Sequence, residues 1–180
     1  MNLRNTPESY GVISRLLHAL IAVPLLGQIP LGWYTAGLSD ESPVYWRLLA
    51  LHETLGLGVL ALMLFKTAWI TISPSPEIAR ALPAWERMAA RFMHMVLFLA
   101  AVIIPVTGFV YAASDGEPLD LYGIVEIPPL GHFGKVQRDL LFSCHRWTAY
   151  VCGLLIVVHV LAALKHHFID GSGSLRRITF

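Results

Sequence analysis

The hydrophobic residues of the chain are gathered in four long segments separated by more polar connections. The segments cover residues 12–34, 48–72, 92–113 and 140–165. Each exceeds the roughly 20 residues that a helix needs to cross the hydrocarbon core of a membrane. Pro24, Pro30 and Pro105 lie inside two of them, where membrane helices tolerate proline better than soluble helices do. The pattern predicts an all-α integral membrane protein: one domain over residues 1–180, a bundle of four transmembrane helices in up-down-up-down order.

The composition agrees with this prediction. Hydrophobic residues make up 56% of the chain and charged residues 14%, whereas soluble domains carry about 25% charged residues. The segment before the first helix (MNLRNTPESYG) lacks the compact basic start of a cleavable signal peptide, so we expect the first span to be retained. Cys144 and Cys152 are eight residues apart on one predicted helix, about 12 Å. That is too far for a disulfide, and we expect both to be small buried hydrophobes.

The lysines and arginines orient the bundle. Cytoplasmic connections carry an excess of these residues. With the N-terminus inside, nine lie on the inner side and four on the outer side. We therefore expect both termini to be cytoplasmic, with a longer, rather acidic outer loop at residues 114–139. The inner set is Arg4, Arg15, Lys66, Arg80, Arg87, Arg91, Lys165, Arg176 and Arg177, and the outer set is Arg47, Lys135, Arg138 and Arg146.

Four of the eight histidines fall at two matched depths inside the spans. His145 and His159 are 14 residues apart on the fourth span, about 21 Å of helix and 40° short of four full turns, so both leave the same face. His52, early in the second span, matches the depth of His145 near the outer side. His18, early in the first span, matches His159 near the inner side. Polar residues within a span are functional-site candidates.

Two pairs of imidazoles at two depths favour bis-histidine ligation of two haems. A neutral imidazole binds iron through one ring nitrogen, and bundle cofactor sites use side chains on facing helices. With both axial positions closed, such a centre carries electrons and leaves no open site for oxygen chemistry. Two such centres, one in each leaflet, would form an electron path across the membrane. Zinc or copper transport is the rival interpretation, disfavoured because the histidines form two levels without a thiolate or carboxylate at zinc-like spacing.

Other polar residues could complete these sites. His94 could compete with His18 as an inner ligand, bind a haem propionate or a quinone carbonyl, or be structural. Arg15 and Arg91 are placed to bind propionates of the inner haem. His166, with its neighbour His167, lies at the inner mouth of the fourth span, where it could contact a quinone or exchange protons. We assign no role to His132 of the outer loop.

At these residues the chain resembles the bacterial cytochrome b561 family, small di-haem b proteins of the inner membrane. It is similar, more distantly, to the cytochrome b subunits of hydrogenases and formate dehydrogenases. The resemblance covers nearly the whole length, with one departure: Ala19 stands where many members have tryptophan. The matching stretches are residues 5–11 (NTPESYG) with Ser14 and His18; Leu51-His52 with Gly56; His94 with residues 105–108 (PVTG); and His145, His159 and residues 163–170 (ALKHHFID).

The resemblance implies a ligand set and a function. His52 and His145 would bind the outer haem b, and His18 and His159 the inner one. The protein would be a multi-pass electron carrier of the bacterial inner membrane, linking a periplasmic donor to the quinone pool. Some family members are similar to superoxide:ubiquinone oxidoreductases, so a quinone-linked oxidoreductase activity is one expectation. We expect lipid, quinone and a periplasmic electron donor as partners, and no nucleic acid.

Two other functions remain open from the sequence. The chain could be the haem-bearing membrane anchor of a larger dehydrogenase or hydrogenase complex, in which case a soluble partner would dock on one face. It could also be a metal-ion transporter that uses its histidines as a relay.

Overall fold

A computed structural model describes residues 2–76 and 82–178. Arg80, one of the basic residues on the predicted inner side, lies outside these ranges. Four helices dominate the described part of the chain, and all four are long and apolar enough to cross a membrane. The predicted four-helix membrane fold is therefore confirmed. The helices are α1 (Val12–Ala36), α2 (Pro43–Ile72), α3 (Ala84–Ala112) and α4 (Lys135–Phe168), and a 3₁₀ turn follows at Ser174–Arg177.

Three helices begin earlier than their apolar segments do. Helix α2 starts at Pro43, five residues before the predicted boundary at 48, because Ser42 caps it by accepting a hydrogen bond from the Val44 amide and proline suits the first helical position. Helix α3 starts at Ala84 and α4 at Lys135, each on a polar or aromatic first turn. The predicted outer loop at 114–139 is correspondingly shorter. Hydropathy marks the part of a helix that matches the hydrocarbon core, and it misses the turns beyond that core.

The connection between α3 and α4 contains a short β-hairpin. Strands β1 (Leu119–Leu121) and β2 (Val125–Ile127) pair antiparallel. The turn is made by Tyr122 and Gly123, which both have positive φ. The Tyr122 hydroxyl donates a 3.0 Å hydrogen bond to the carbonyl oxygen of Arg47, so the hairpin is fastened to the first turns of α2.

The N-terminal segment is fastened to the other end of α2. The backbone amide of Asn5 donates to Ser73 Oγ at 2.9 Å, and its side-chain amide donates to the carbonyl oxygens of Ser73 and Pro74 at 2.9 and 3.1 Å. Asn5 Oδ1 accepts from the Gly11 amide at 2.9 Å, directly before α1. One turn into α1, Ser14 Oγ accepts a hydrogen bond from Trp69 Nε1 at 2.9 Å. These bonds fix where α1 begins relative to the end of α2.

Neighbouring helices along the chain pack against each other: α1 on α2, α2 on α3 and α3 on α4. The core lies halfway along the bundle in two small clusters that share Leu25 as a partly buried neighbour. The clusters are Ile21, Val59, Met63 and Ala101 in one, and Ala100, Ile104 and Cys152 in the other. Of the two cysteines, Cys152 is fully buried, whereas Cys144 is exposed and departs from the expected burial.

Candidate functional site

The same 14-residue step occurs on all four helices. Each helix carries one residue near the hairpin, a second seven residues away near mid-bundle, and a third seven further toward the termini. Seven residues span about 10 Å and return to nearly the same face of a helix. We name the three sets the hairpin-side level, the middle layer and the terminus-side level. They are Gly32, His52, Gly108 and His145; Leu25, Val59, Ala101 and Cys152; and His18, Lys66, His94 and His159.

The hairpin-side level brings two histidines of α2 and α4 together. The ring centres of His52 and His145 lie 6.0 Å apart, and the ring planes are nearly perpendicular at 84°. A metal bound between two imidazoles stands about 2 Å from each nitrogen, which puts the ring centres roughly 6 Å apart. The spacing of these two rings therefore fits a pair of axial ligands.

Two glycines back these rings. A Cβ at Gly32 would lie 2.7 Å from Cε1 of His52, and a Cβ at Gly108 would lie 2.8 Å from Cε1 of His145. Each imidazole thus rests against the bare backbone of the neighbouring helix, α1 or α3. Sequence reasoning missed Gly32 and quoted Gly108 only within the family resemblance. Their signal was the 14-residue step, since Gly32 follows His18 and Gly108 follows His94 at that distance.

Hydrogen bonds set the orientation of the hairpin-side level. His145 Nδ1 lies 2.8 Å from the carbonyl oxygen of Ile104, and because a carbonyl only accepts, Nδ1 carries the proton and Nε2 keeps its lone pair. Metal-binding histidines are usually held this way. Gln28, 7% exposed, donates from Nε2 to the carbonyl oxygen of His52 at 2.7 Å. His52 Nδ1 is buried without a hydrogen-bond partner in the described part of the chain.

The terminus-side level gathers one ionisable side chain from each helix. His94 and His159 are in ring contact, with centres 5.3 Å apart at 71°. His18 interacts electrostatically with Lys66, His159 and His94. His94, which the sequence suggests as a competitor of His18, lies with its ring against that of His159.

The middle layer separates the two levels with apolar side chains. Val59, Ala101 and Cys152 are 3%, 5% and 0% exposed, and Leu25 packs against both core clusters. No charged residue belongs to this layer. An electron passing between the levels would therefore cross a buried layer without charged side chains.

The two arginines predicted to bind propionates lie near the terminus-side level. Arg15 is three residues before His18, and its Nε donates a 3.0 Å hydrogen bond to the carbonyl oxygen of Tyr10. Arg91 is exposed on α3, three residues before His94 and on the same side of the helix. Both are thus within about one turn of the histidines that they were expected to serve.

His166 belongs to an ion-pair network beyond this level. Its Nδ1 lies 2.7 Å from Asp170 Oδ2 and 3.5 Å from Glu86 Oε2. Lys165 Nζ binds the same two carboxylates at 2.8 and 3.0 Å. Hydrogen bonds from Lys165 and His166 hold the pKa of Asp170 below its usual range. Glu86, His166 and Asp170 could also surround a metal ion, but the ammonium group of Lys165 already binds both carboxylates.

The neighbouring histidine is arranged differently. The His167 ring lies 4.7 Å from that of Phe168, and its Nδ1 is buried without a hydrogen-bond partner in the described part of the chain.

Taken together, the interior of the bundle offers two sets of imidazoles without thiolates. The donor set and the spacing at the hairpin-side level fit a haem held by two histidines.

Comparisons with known proteins give a matching family model and several relatives. A family model described as prokaryotic cytochrome b561 matches residues 9–180. The chain is 33% identical to cytochrome b561 homolog 2 of Escherichia coli K12, over 99% of this chain and 95% of the relative. It is 27% identical to cytochrome b561 homolog 1 of the same strain, over 82% and 81%. It is 21% identical to a protein of Yersinia pestis named probable superoxide oxidase CybB, over 95% and 96%. The chain therefore belongs to the prokaryotic cytochrome b561 family, and it is a multi-pass bacterial inner-membrane protein of electron transfer with b-type haem.

Proposed function

We propose that the protein carries electrons across the membrane through two b-type haems, one at each level. The observation that carries this proposal is the hairpin-side pair. His52 and His145 face each other at 6.0 Å between ring centres, and the bond from His145 Nδ1 to Ile104 leaves Nε2 free for iron. Haem iron, when bound, takes up and gives up one electron at a time.

His18 and His159 are the proposed ligands at the terminus-side level. At the hairpin-side level each helix pair, α1 with α2 and α3 with α4, supplies one histidine backed by a glycine of its partner helix. If the terminus-side level is built in the same way, each of these two helix pairs supplies one histidine ligand there. His18 is the histidine of the first pair, because α2 supplies Lys66 there. In the second pair, His159 lies 14 residues after His145 on the same face of α4, and it is therefore the proposed ligand. His94 of α3 then packs behind His159, as Gly108 does behind His145.

The remaining polar residues complete the terminus-side site in this proposal. Arg15 and Arg91 would bind propionate carboxylates near the membrane surface, since a guanidinium group can pair with a carboxylate through two parallel hydrogen bonds. His166 would act beyond the haem, where its contact with Asp170 gives a quinone-contacting or proton-exchanging group a route to water.

The orientation and the substrates follow from charge and from the relatives. An excess of lysine and arginine on the side of the termini supports a cytoplasmic position for both. The hairpin-side level then faces the periplasm, where the electron donor would arrive. Superoxide is the proposed donor, because one relative is named a probable superoxide oxidase, and a quinone is the proposed acceptor. Two superoxide anions would each lose one electron and leave as O₂, and one quinone would gain two electrons and two protons.

Haem content and electron delivery test this function together. The purified protein should show a b-type reduced-minus-oxidised spectrum with two haems per chain, and superoxide should drive quinone reduction that a His145→Ala variant does not support. A folded, haem-free protein would overturn the proposal. Zinc or copper bound without haem would favour a transporter. A second polypeptide that co-purifies in mild detergent, together with a failure of superoxide to reduce quinone, would favour a membrane anchor subunit.

A further inference from the structure

Lys66 occupies the position on α2 that His159 occupies on α4. It follows His52 by 14 residues, the step that separates His145 from His159. Because the step returns to nearly the same face of a helix, Lys66 is turned toward the terminus-side level, and its side chain is half-buried there. A lysine in a transmembrane span is costly, and such residues generally face the bundle interior and have a function.

The neighbours of Lys66 are the histidines of this level. It interacts electrostatically with His18 and with His94. No carboxylate pairs with it within residues 2–76 and 82–178. Unlike Lys165, which binds Glu86 and Asp170 at the surface, Lys66 holds a cation in the apolar part of the bundle without a counter-charge from the described chain.

The hairpin-side level has no such charge. The positions that back its two histidines are Gly32 and Gly108, whereas the corresponding neighbours at the terminus-side level are Lys66 beside His18 and His94 beside His159. Bare backbone thus backs one pair of imidazoles, whereas a lysine and a further histidine lie beside the other pair. Electrostatic interactions are strongest where water is excluded, and local charge is among the factors that set a reduction potential.

We propose that the ammonium group of Lys66 raises the reduction potential of the terminus-side haem. This proposal rests on the proposed function, because it takes two haems as given. Reduction of ferric to ferrous iron adds one electron and one negative charge and breaks no bond, so a nearby cation stabilises the reduced form. The two levels then differ in potential. Lys66 thereby favours electron transfer from the hairpin-side haem to the terminus-side haem. It acts through its charge and does not bind the iron.

A potentiometric titration of the full-length protein with both haems bound tests the role of Lys66. In Lys66→Gln, one of the two midpoint potentials should fall by about 59 mV, which corresponds to a tenfold change in the equilibrium constant for one-electron reduction. The other midpoint should stay, and it serves as an internal sign that the bundle is folded. Lys66→Arg keeps the charge and should restore the wild-type midpoint. Arg176→Gln removes an exposed charge on the same side of the bundle and should move neither.

Three results would overturn the role of Lys66. In Lys66→Gln, these are two unchanged midpoint potentials, an equal shift of both midpoint potentials, or the loss of one haem. If Lys66→Gln does not accumulate with its hairpin-side haem, Lys66→Met is measured in its place by the same criteria. Failure of the proposed function is distinguishable, because the wild-type protein would then show no pair of midpoints to compare.

Discussion

Gly108 of α3 lies so close to His145 of α4 that a Cβ at position 108 would stand 2.8 Å from the ring carbon Cε1 and 2.9 Å from Nδ1. Real Cβ atoms essentially never approach a neighbour this closely, so any side chain at Gly108 would displace the imidazole. The same ring donates a hydrogen bond from Nδ1 to the carbonyl oxygen of Ile104, one turn earlier on α3. Helix α3 therefore both holds the imidazole in place and limits how far it can move.

Replacing either backing glycine should therefore remove one haem. We expect Gly108→Ala and Gly32→Ala to lower the haem content from two to about one per chain, because each pushes a proposed ligand out of line. Gly27→Ala and Gly58→Ala are matched controls in α1 and α2, where a new Cβ meets nothing within 4 Å. They should keep both haems, since alanine favours a helix over glycine by about 0.5–1 kcal/mol. Equal haem content in all four variants would contradict the backing role.

The 14-residue step shows how much of the site the sequence contained. On α4 it identified His145 and His159, because both ends of the step are histidine. On α1 and α3 one end is glycine, and on α2 one end is lysine. A pattern of paired metal ligands therefore does not include Gly32, Gly108 or Lys66, although the spacing is the same on every helix.

The remaining differences lie outside the apolar segments. The β-hairpin depends on positive φ at Tyr122 and Gly123 and on a hydrogen bond from the Tyr122 hydroxyl to the carbonyl oxygen of Arg47. These two residues are 75 positions apart, so no local sequence pattern predicts their contact. The ring contact of His94 with His159 likewise depends on how α3 and α4 are rotated about their axes, which depth along the chain does not specify.

The ligands of the terminus-side level can be separated by haem content. His18→Ala and His159→Ala should each lose one haem and keep the other, because each removes a proposed axial ligand. His94→Ala should keep two haems, with an altered spectrum or midpoint of the terminus-side one, because it removes a neighbour of His159. Loss of a haem in His94→Ala together with its retention in His18→Ala would make His94 the ligand in place of His18.

The network at Asp170 should respond to acid. Its pKa is held below its usual value by hydrogen bonds from Lys165 and His166. A depressed pKa means that the carboxylate stabilises the fold at pH values above its usual one and that this contribution is lost as the pH falls through the lowered value. We expect the tail after α4 to be protected at neutral pH, with amide exchange slower than in an unstructured peptide at the same pH, and this protection to be lost as the pH falls through the lowered pKa of Asp170.

A variant separates this response from general acid unfolding. Asp170→Asn should show fast exchange in the tail already at pH 7, while the transmembrane helices stay protected. Asp139→Asn, an exposed position at the opposite end of α4, should exchange like the wild type. Tail exchange that is equal in all three proteins at pH 7 would show that the network does not hold the tail.

Asn5 should contribute more to stability than its place in the N-terminal segment suggests. Its backbone and side chain bond to Ser73, Pro74 and Gly11. Asn5→Ala removes the side-chain bonds and leaves carbonyl and amide groups near the membrane surface without their partners. At about 1 kcal/mol per hydrogen bond, the loss should be roughly 1–3 kcal/mol. Thermal unfolding followed by haem absorbance measures it. Asn2→Ala is the matched control, because Asn2 is exposed and accepts a bond from Val12 only through its backbone oxygen. Equal stability of the two variants would mean that water replaces the Asn5 bonds without cost and that the helix packing alone fixes the start of α1.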